Sequence, residues 1–198
     1  PADLADHVVT RIAQPVLDEM RRRGTPFVGT LFVGLALTSR GPRVIEFNAR
    51  FGDPETQVVL ARLRTPLAGL LHAAATGSLD SVPALRWSDD AAVTVVVAAE
   101  HYPGTPRTGD PIAGLDEVAT LDDGERTAYV LHAGTALGGD GEIVSAGGRV
   151  LSVVGTGPDL ADAREVAYAA VGLIDLPGSH HRTDIARKAV EGAISLSG

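Results

Sequence analysis

An apolar strand pattern that runs directly into a cluster of polar residues most constrains the fold of this chain. Residues 44–57 read Val-Ile-Glu-Phe-Asn-Ala-Arg-Phe-Gly-Asp-Pro-Glu-Thr-Gln. Because side chains alternate between the two faces of a strand, Glu46, Asn48 and Arg50 are predicted to share one face. By the same alternation, Ile45 and Phe47 are predicted to point into a core. The stretch therefore predicts a half-buried strand with a polar face.

The residue types on this polar face suit a cation shared with phosphate groups. A carboxylate next to a carboxamide supplies the hard oxygen ligands that Mg²⁺ (or Mn²⁺) uses, so Glu46 and Asn48 are the candidate metal ligands. Arg50 can bind a carboxylate or a phosphate through two parallel hydrogen bonds. A single Glu on a strand is usually only solvated. Here three such groups lead into a Gly-Asp-Pro turn. On this pattern alone, a functional role and a purely structural role explain the residues equally well.

Composition excludes several classes of function. A length of 198 residues allows one large or two small domains, and the formal net charge of −8 disfavours binding to nucleic acid or to anionic membranes. The absence of cysteine excludes disulfides, thiolate catalysis and cysteine-based zinc sites. No apolar run is long enough to span a membrane and no signal peptide is recognisable, so a cytoplasmic location is expected.

The first part of the chain is predicted to contain two helical regions around a hairpin. Apolar spacing predicts a helix over 3–23, kinked at Pro15. Residues 27–38 and 43–48 are predicted to be the two strands of the hairpin. Asp53 is expected to cap a following helix, with Pro54 at its first position. A leucine stripe continues this helical region, is broken near Pro66 and is expected to end at Gly77.

The second part is predicted to be a separate unit of mixed strands and helices. Residues 78–90 are polar and aperiodic, which is typical of a linker. Strands are predicted over 92–99, near 127–131 and 142–145, and over 148–154. Amphipathic spacing predicts a helix over 159–174 with Asp159 near its start, and a last helix over about 184–194. The chain is thus expected to be α+β in class.

The string over residues 44–57 closely resembles the signature of the phosphoribosylamine–glycine ligases, a family of ATP-grasp enzymes. Later segments resemble further blocks of the same family and occur in the family's order. These segments are Tyr102–Gly104, Arg107–Asp110, His132–Thr135, Gly147–Leu151 and Arg182–Ile185. The resemblance covers essentially the whole chain, but only the C-terminal half of the family's length.

The resemblance implies a fold and a domain division. Residues 1–80 are expected to form the C-terminal part of the ATP-grasp core, with a strand hairpin and helices. Residues 81–90 are expected to be a linker, and residues 91–198 a small α+β domain that closes over the substrate. The family's ATP-clamping lid and N-terminal domain have no counterpart in this sequence, so the chain alone is expected not to turn over.

The resemblance also implies a reaction and its cofactors. ATP would phosphorylate glycine, and the amine of 5-phosphoribosylamine would attack the glycyl phosphate to give glycinamide ribonucleotide, ADP and phosphate. Glu46 and Asn48 would bind Mg²⁺ or Mn²⁺ that bridges the nucleotide phosphates. Arg50, Asp53 and Glu55 would be the catalytic residues. Many ATP-grasp enzymes carry another acid on the first strand of this hairpin, where residues 33–35 contain none.

Further residues are weaker candidates for contact with the substrate phosphate. His132 and Thr135 are assigned to nucleotide or phosphate binding, although a lone histidine beside small residues is more often structural. Arg107 and Arg149 are candidates for closing over the phosphate. The expected partners are small molecules only, namely ATP, glycine and 5-phosphoribosylamine, and a monomer is expected.

Other functions stay open at this point. A different ATP-grasp ligase that joins a carboxylate to an amine would share the hairpin, but the Arg50–Gln57 string and the later blocks argue against it. A non-catalytic binding module on the same scaffold is the second alternative. A nucleic-acid-binding protein is disfavoured by the negative charge and the small number of aromatic residues.

Overall fold

The structure, a computed structural model, describes residues 2–38 and 40–194 and divides into two compact units. The first unit contains the described residues up to Asp53 together with Thr65–Arg86. The second contains Pro54–Arg64 together with the described residues from Trp87 onward. Helix α3, Glu55–Arg62, begins within the string over residues 44–57 and belongs to the second unit. Each unit is described separately below.

The first unit begins with a helical region that is interrupted before Pro15. Helix α1 covers Ala2–Val8, a π-helical turn covers Val9–Ala13, and helix α2 covers Gln14–Arg22. Pro15 lies in the first turn of α2, where a missing backbone N–H breaks no helical hydrogen bond. The predicted helix with a break at Pro15 is therefore confirmed, and the break takes the form of a wider helical turn.

A two-stranded antiparallel hairpin carries the metal-ligand candidates. Strand β1 covers Phe32–Thr38 and strand β2 covers Gly41–Asn48, so the predicted first strand was about five residues too long. The register shifts between Gly34 and Leu35, which pair with Glu46 and Val44, so Ile45 is the extra residue of a bulge.

The prediction that Ile45 and Phe47 point into a core is wrong. Ile45 is 69% exposed and Phe47 is 40% exposed. Alternation along a strand determines which residues share a face, but a face is buried only where a second layer covers it. Within the described part of the first unit, no layer covers these two side chains.

Helix α4, Leu67–Thr76, completes the regular structure of the first unit, apart from one 3₁₀ turn at Leu79–Ser81. Gly77 ends α4 with a φ of +69°, a left-handed conformation that glycine adopts without strain. The break near Pro66 that the sequence predicted is confirmed, because Pro66 immediately precedes α4. The segment predicted as a linker, 78–90, contains only the 3₁₀ turn and a single isolated bridge.

The second unit is built on a three-stranded antiparallel sheet in the order β3-β7-β4. Strand β3 covers Ala91–Ala98, β4 covers Thr127–His132 and β7 covers Arg149–Gly157. All three agree with the predicted strands to within three residues. Their valines dominate the buried core of the unit, which is why a chain with few aromatic residues can still form one.

Helices cover both faces of this sheet. Helix α6, Leu160–Leu173, packs on one face so closely that a side chain at Gly155 would overlap the Ala163 carbonyl. Helix α3, Glu55–Arg62, packs on β3 and β7, and Gln57 Nε2 donates to Ser152 Oγ over 3.5 Å. Because Ser152 and Gly155 point to opposite faces, α3 and α6 enclose the sheet from two sides.

The two helix starts show how local sequence sets the boundaries. Asp159 caps α6 as predicted, since its carboxylate accepts from the backbone N–H groups of Ala161 and Asp162. The corresponding prediction for Asp53 is wrong, because the N-cap of α3 is Pro54 and makes no side-chain cap hydrogen bond. The Asp-Pro pair lies in a turn, and the helix begins one residue later, at Glu55.

Short elements complete the second unit. Helix α5 covers Leu115–Val118, and strands β5, Thr135–Leu137, and β6, Ile143–Ser145, form a small hairpin. Helix α7 covers Arg187–Val190, so the predicted last helix is only one turn long among the described residues. Among those residues, the helices are all too short or too polar to cross a membrane.

Candidate functional site

The hairpin of the first unit holds Glu46 and Asn48 on one face, because they are two positions apart and both lie beyond the bulge. Glu46 is exposed and Asn48 is half-buried. Glu46 pairs with Gly34, and a Cβ atom at Gly34 would lie 3.1 Å from the Cγ of Glu46. Because Gly34 has no side chain, the Glu46 side chain can lie across β1 at this position.

The donor set at the hairpin fits a hard cation that also takes ligands from elsewhere. The Nδ2 atom of Asn48 is buried and has no hydrogen-bond partner among the described residues, so this donor lacks the acceptor that a buried polar group normally has. Only the Oδ1 atom of the same carboxamide can bind a cation. The described residues contain no group of three His, Cys, Asp or Glu side chains able to hold a metal. Two oxygen ligands from protein suffice for Mg²⁺, which keeps waters and substrate phosphates in its shell.

The turn after β2 carries the next two candidates. Arg50 is exposed, and its Nη1 donates to the carbonyl of Phe51 over 2.7 Å. A guanidinium has five N–H donors, so this contact leaves others able to bind a carboxylate or a phosphate. Asp53 is also exposed, after the buried Gly52. The first unit therefore brings Glu46 and Asn48 together on β2, with Arg50 and Asp53 on the adjoining turn.

Glu55 is the first residue of α3 and thus part of the second unit. It is exposed in the first helical turn, where the free backbone N–H groups favour a negative charge. Two residues further on, Gln57 contacts Ser152, which is almost completely buried in the sheet. The signature string thus ends in a helix that is fixed on the β3-β7-β4 sheet.

His132 and Thr135 contact each other at the other predicted location. His132 ends β4 and Thr135 begins β5, and the His132 Nδ1 lies 3.1 Å from the Thr135 Oγ1. Between them, Gly134 lies so close to the backbone of Gly147 and Arg149 that a Cβ atom would come within 2.8 Å of both. The structure therefore gives the His-Ala-Gly-Thr segment a compact form, with one polar pair at the surface.

The suggestion that Arg107 closes over a phosphate stays a prediction, and its guanidinium makes three contacts within the second unit. Its Nε donates to Asp110 over 2.8 Å, its Nη1 to Glu100, and its Nη2 to the carbonyl of Pro177 over 2.8 Å. Asp110, followed by Glu100, raises the pKa of the Arg107 guanidinium. Arg107 thus ties three chain segments together, while Arg149 is exposed at the start of β7.

The Arg182–Ile185 segment is held by residues that sequence reasoning missed. Arg164 of α6 donates to the carbonyls of Ile185 and Thr183, over 2.9 and 3.0 Å. The Tyr168 hydroxyl donates to the carbonyl of Arg182 and accepts from the N–H of Ile185. No local pattern signals these contacts, because the partners are 14 to 21 residues apart.

Comparisons with known proteins match both parts of the chain to one enzyme. The family model described as "Phosphoribosylglycinamide synthetase, ATP-grasp (A) domain" matches residues 1–56. The model described as "Phosphoribosylglycinamide synthetase, C domain" matches residues 92–188. The two matches leave only 57–91 and the last residues of the chain unmatched.

Curated relatives and a solved structure agree with the family models. The phosphoribosylamine–glycine ligase of Streptomyces coelicolor is 71% identical over 94% of this chain. That of Mycobacterium tuberculosis is 56% identical over 99% of it. In both cases the chain spans 44% of the relative's length.

The crystal structure of phosphoribosylamine–glycine ligase from Thermotoga maritima matches with a TM-score of 0.66 and 32% identity, over 83% of this chain and 39% of that one. At this identity the agreement covers sequence as well as fold. The architecture is accordingly the C-terminal portion of an ATP-grasp core with a further α+β domain. The chain belongs to the phosphoribosylamine–glycine ligase family.

Proposed function

We propose that these residues serve an ATP-dependent ligase that joins glycine to 5-phosphoribosylamine. The observation that carries the proposal is the polar signature itself. Glu46 and Asn48 share one face of a hairpin and Arg50 and Asp53 follow on its turn, within a segment that matches the family's ATP-grasp model. The named activity of the curated relatives supports the same reaction.

The proposed reaction has two steps and needs no covalent bond to the protein. A carboxylate oxygen of glycine attacks the γ-phosphorus of ATP, and ADP leaves with the electron pair of the broken P–O bond. The amine of 5-phosphoribosylamine then attacks the acyl carbon and releases phosphate, which gives glycinamide ribonucleotide. The work of the protein in such a reaction is to position charged reactants and to offset phosphate charge.

Glu46 and Asn48 are the proposed ligands of Mg²⁺ or Mn²⁺. When bound, the ion would neutralise charge on the nucleotide phosphates and orient the transferred group. The exposed Glu46 carboxylate would supply a charged oxygen, and the Asn48 carboxamide a neutral one. The space left by Gly34 supports the proposal, because the Glu46 side chain can lie over β1 without a neighbouring side chain in the way.

The remaining site residues are proposed to handle the organic substrates. Arg50 has unused guanidinium donors for the glycine carboxylate or the acyl phosphate. Asp53 and Glu55 would accept hydrogen bonds from phosphoribosylamine and orient its amine. His132 and Thr135, whose polar groups lie 3.1 Å apart, are proposed to contact a phosphate.

The domain division and the setting of the protein also stay proposals. We propose an ATP-grasp portion over 1–80, a linker over 81–90 and a substrate-closing domain over 91–198. The two family matches support a boundary between 56 and 92. A cytoplasmic location, a monomeric state and the inactivity of the 198-residue chain by itself stay predictions from the sequence.

An activity assay with matched variants tests the function. The full coding sequence that contains this chain is expressed, and ADP formation is measured with ATP, glycine and phosphoribosylamine, omitting each in turn. We expect Glu46→Gln to lower the rate by about a hundredfold or more, because a metal ligand is lost. Glu117→Gln, which changes an exposed acid on α5, is the control and should not alter the rate.

Two results would contradict the proposal. ADP formation that does not require glycine, or that accepts an unrelated amine equally well, would favour a different ATP-grasp ligase. A wild-type rate in Glu46→Gln would remove the metal assignment. Metal binding gives a second readout. Paramagnetic Mn²⁺ with ATP should broaden the NMR signal of Asn48 in the wild type and should not broaden it in Glu46→Gln.

A further inference from the structure

A polar groove in the second unit lies outside all the proposed roles. It has a volume of about 500 Å³ and is lined by the end of α3, by Asp90, and by the start of β4 and the end of β7. His132 lies at the other end of β4, about 16 Å along the strand from Thr127. The groove is therefore separate from the His132–Thr135 pair.

Two arginines at the groove converge on a single residue. Arg62 Nη2 donates to the Ser88 carbonyl over 3.1 Å, and Arg64 Nη2 donates to the Ser88 Oγ over 3.0 Å. Each contact uses one of the five N–H donors of a guanidinium. Two positive groups are thus held beside each other, with donors left for an oxyanion.

Two acids, Asp90 and Glu125, also line the groove and equal the two arginines in formal charge. Asp90 accepts a hydrogen bond from the Ser88 hydroxyl over 2.6 Å, and its Oδ2 lies 3.8 Å from Arg64 Nη2, which is a long ion pair. Glu125, the other acid of the groove, is exposed and forms no ion pair with a described residue. A free carboxylate suits hydroxyl groups of a ligand, since it can accept hydrogen bonds from them.

The wall of the groove adds a neutral donor. Tyr129 is half-buried, and its hydroxyl has no hydrogen-bond partner among the described residues. Burial raises the pKa of the Tyr129 phenol above its usual value of 10.0, so the hydroxyl keeps its proton at neutral pH. Thr127 and Thr156 place further hydroxyl groups along the same wall.

We propose that this groove binds the phosphate monoester of a small polyhydroxyl compound such as a sugar phosphate. The phosphate lies between Arg62 and Arg64, whose remaining guanidinium N–H groups donate charge-assisted hydrogen bonds to its oxygens. The hydroxyl groups of the ligand meet the Tyr129 hydroxyl and the Glu125 carboxylate. The volume is in the usual range for sites of small organic ligands. The inference does not rest on the ligase reaction.

NMR titration of the 198-residue chain tests the proposal. Glucose 6-phosphate is the probe, glucose is the uncharged control, and sodium chloride at matched ionic strength controls for screening. We expect glucose 6-phosphate to shift the amide signals of Gly124, Thr127 and Tyr129 in a saturable way, and glucose and chloride not to shift them. Substitution Arg64→Gln should weaken binding by about tenfold, and Tyr129→Phe by about threefold.

Arg11→Gln changes an exposed arginine of the first unit and should leave the affinity unchanged. Shifts equal to those with chloride, or equal affinity in the wild type and in Arg64→Gln, would overturn the proposal. A folded spectrum of each variant ensures that loss of binding reports on the groove. Because no turnover is measured, failure here is distinguishable from failure of the ligase proposal.

Discussion

The two units use similar apolar residues in opposite ways. In the second unit, all the valines of β3 and β7 except Val96 are almost completely buried, in a sheet that lies between two helices. In the described part of the first unit, Ala73 is the one hydrophobic residue whose side chain is almost completely buried. Val44, Ile45 and Phe47 on β2 are exposed. An apolar pattern alone therefore does not make a core, because a covering layer has to be present as well.

Placing a charge on a strand should change the free energy of unfolding most in the second unit, where the strand is buried. Val153 is fully buried, so Val153→Asp should lower the free energy of unfolding by about 4 kcal/mol or more. Ile45→Asp should change it by no more than about 0.5 kcal/mol, because Ile45 is exposed. Urea denaturation followed by circular dichroism and by the fluorescence of Trp87, the only tryptophan, measures both.

A milder substitution keeps this comparison measurable if Val153→Asp does not fold. Val153→Ala should cost about 2 kcal/mol through the cavity that it leaves. Equal losses for Val153→Asp and Ile45→Asp would show that the hairpin face is buried in solution, which would contradict the contrast between the units.

The capping of α6 offers a smaller effect. Asp159→Ala should lower the free energy of unfolding by about 1 kcal/mol, because two backbone N–H groups lose their acceptor. Asp159→Asn keeps an accepting oxygen and is the matched control. Helix α4 of the first unit begins after Pro66 without a side-chain cap, so no equivalent contact exists there to remove. Thermal and urea unfolding measure both variants. Equal free energies of unfolding for Asp159→Ala and Asp159→Asn would contradict the assignment of the cap.

The smallest effect concerns pH. The backbone N–H of Arg126, then its side chain, lowers the pKa of Asp123 from its ordinary value of 3.8. A lowered folded-state pKa adds stability above 3.8, and this stability is lost as the pH falls through the folded value. Asp123→Asn should therefore destabilise the second unit at neutral pH, and its difference from the wild type should shrink in acid.

The measurement is urea unfolding between about pH 7 and pH 2.5, over which the linked proton is taken up. Asp116→Asn removes an exposed acid that accepts no hydrogen bond from a described residue, and it is the control. A difference between the wild type and Asp123→Asn that stays constant over this range would rule out the linkage.

Sequence was sufficient where local chemistry determines the structure. Helix α6 starts at Asp159 because the carboxylate accepts from backbone N–H groups. Helix α4 ends at Gly77 because glycine adopts a left-handed backbone without strain. The break at Pro15 follows from the missing N–H of proline. Strands β3 and β7 of the second unit were also predictable, because they are rich in valine. Family resemblance, and not these patterns, supplied the expected reaction.

Sequence was not sufficient where contacts join distant positions. The three partners of Arg107 lie 3, 7 and 70 residues away, so the sequence could not show that this arginine joins three segments of the chain. Burial of Ile45 and Phe47 was predicted from alternation, which carries no information on covering layers. Helix α5 and strand β5 were missed because four and three residues are too short for a period to be recognised.

The glycine opposite Glu46 has a consequence for how such a site can change over evolutionary time. Many ATP-grasp enzymes carry an acid on the first strand of this hairpin, and here Gly34 occupies that strand beneath the Glu46 side chain. Adding any side chain at Gly34 would require Glu46 to move by a few tenths of an ångström. Gaining a third ligand there is thus a coupled change, because the new side chain fits only if the Glu46 side chain shifts.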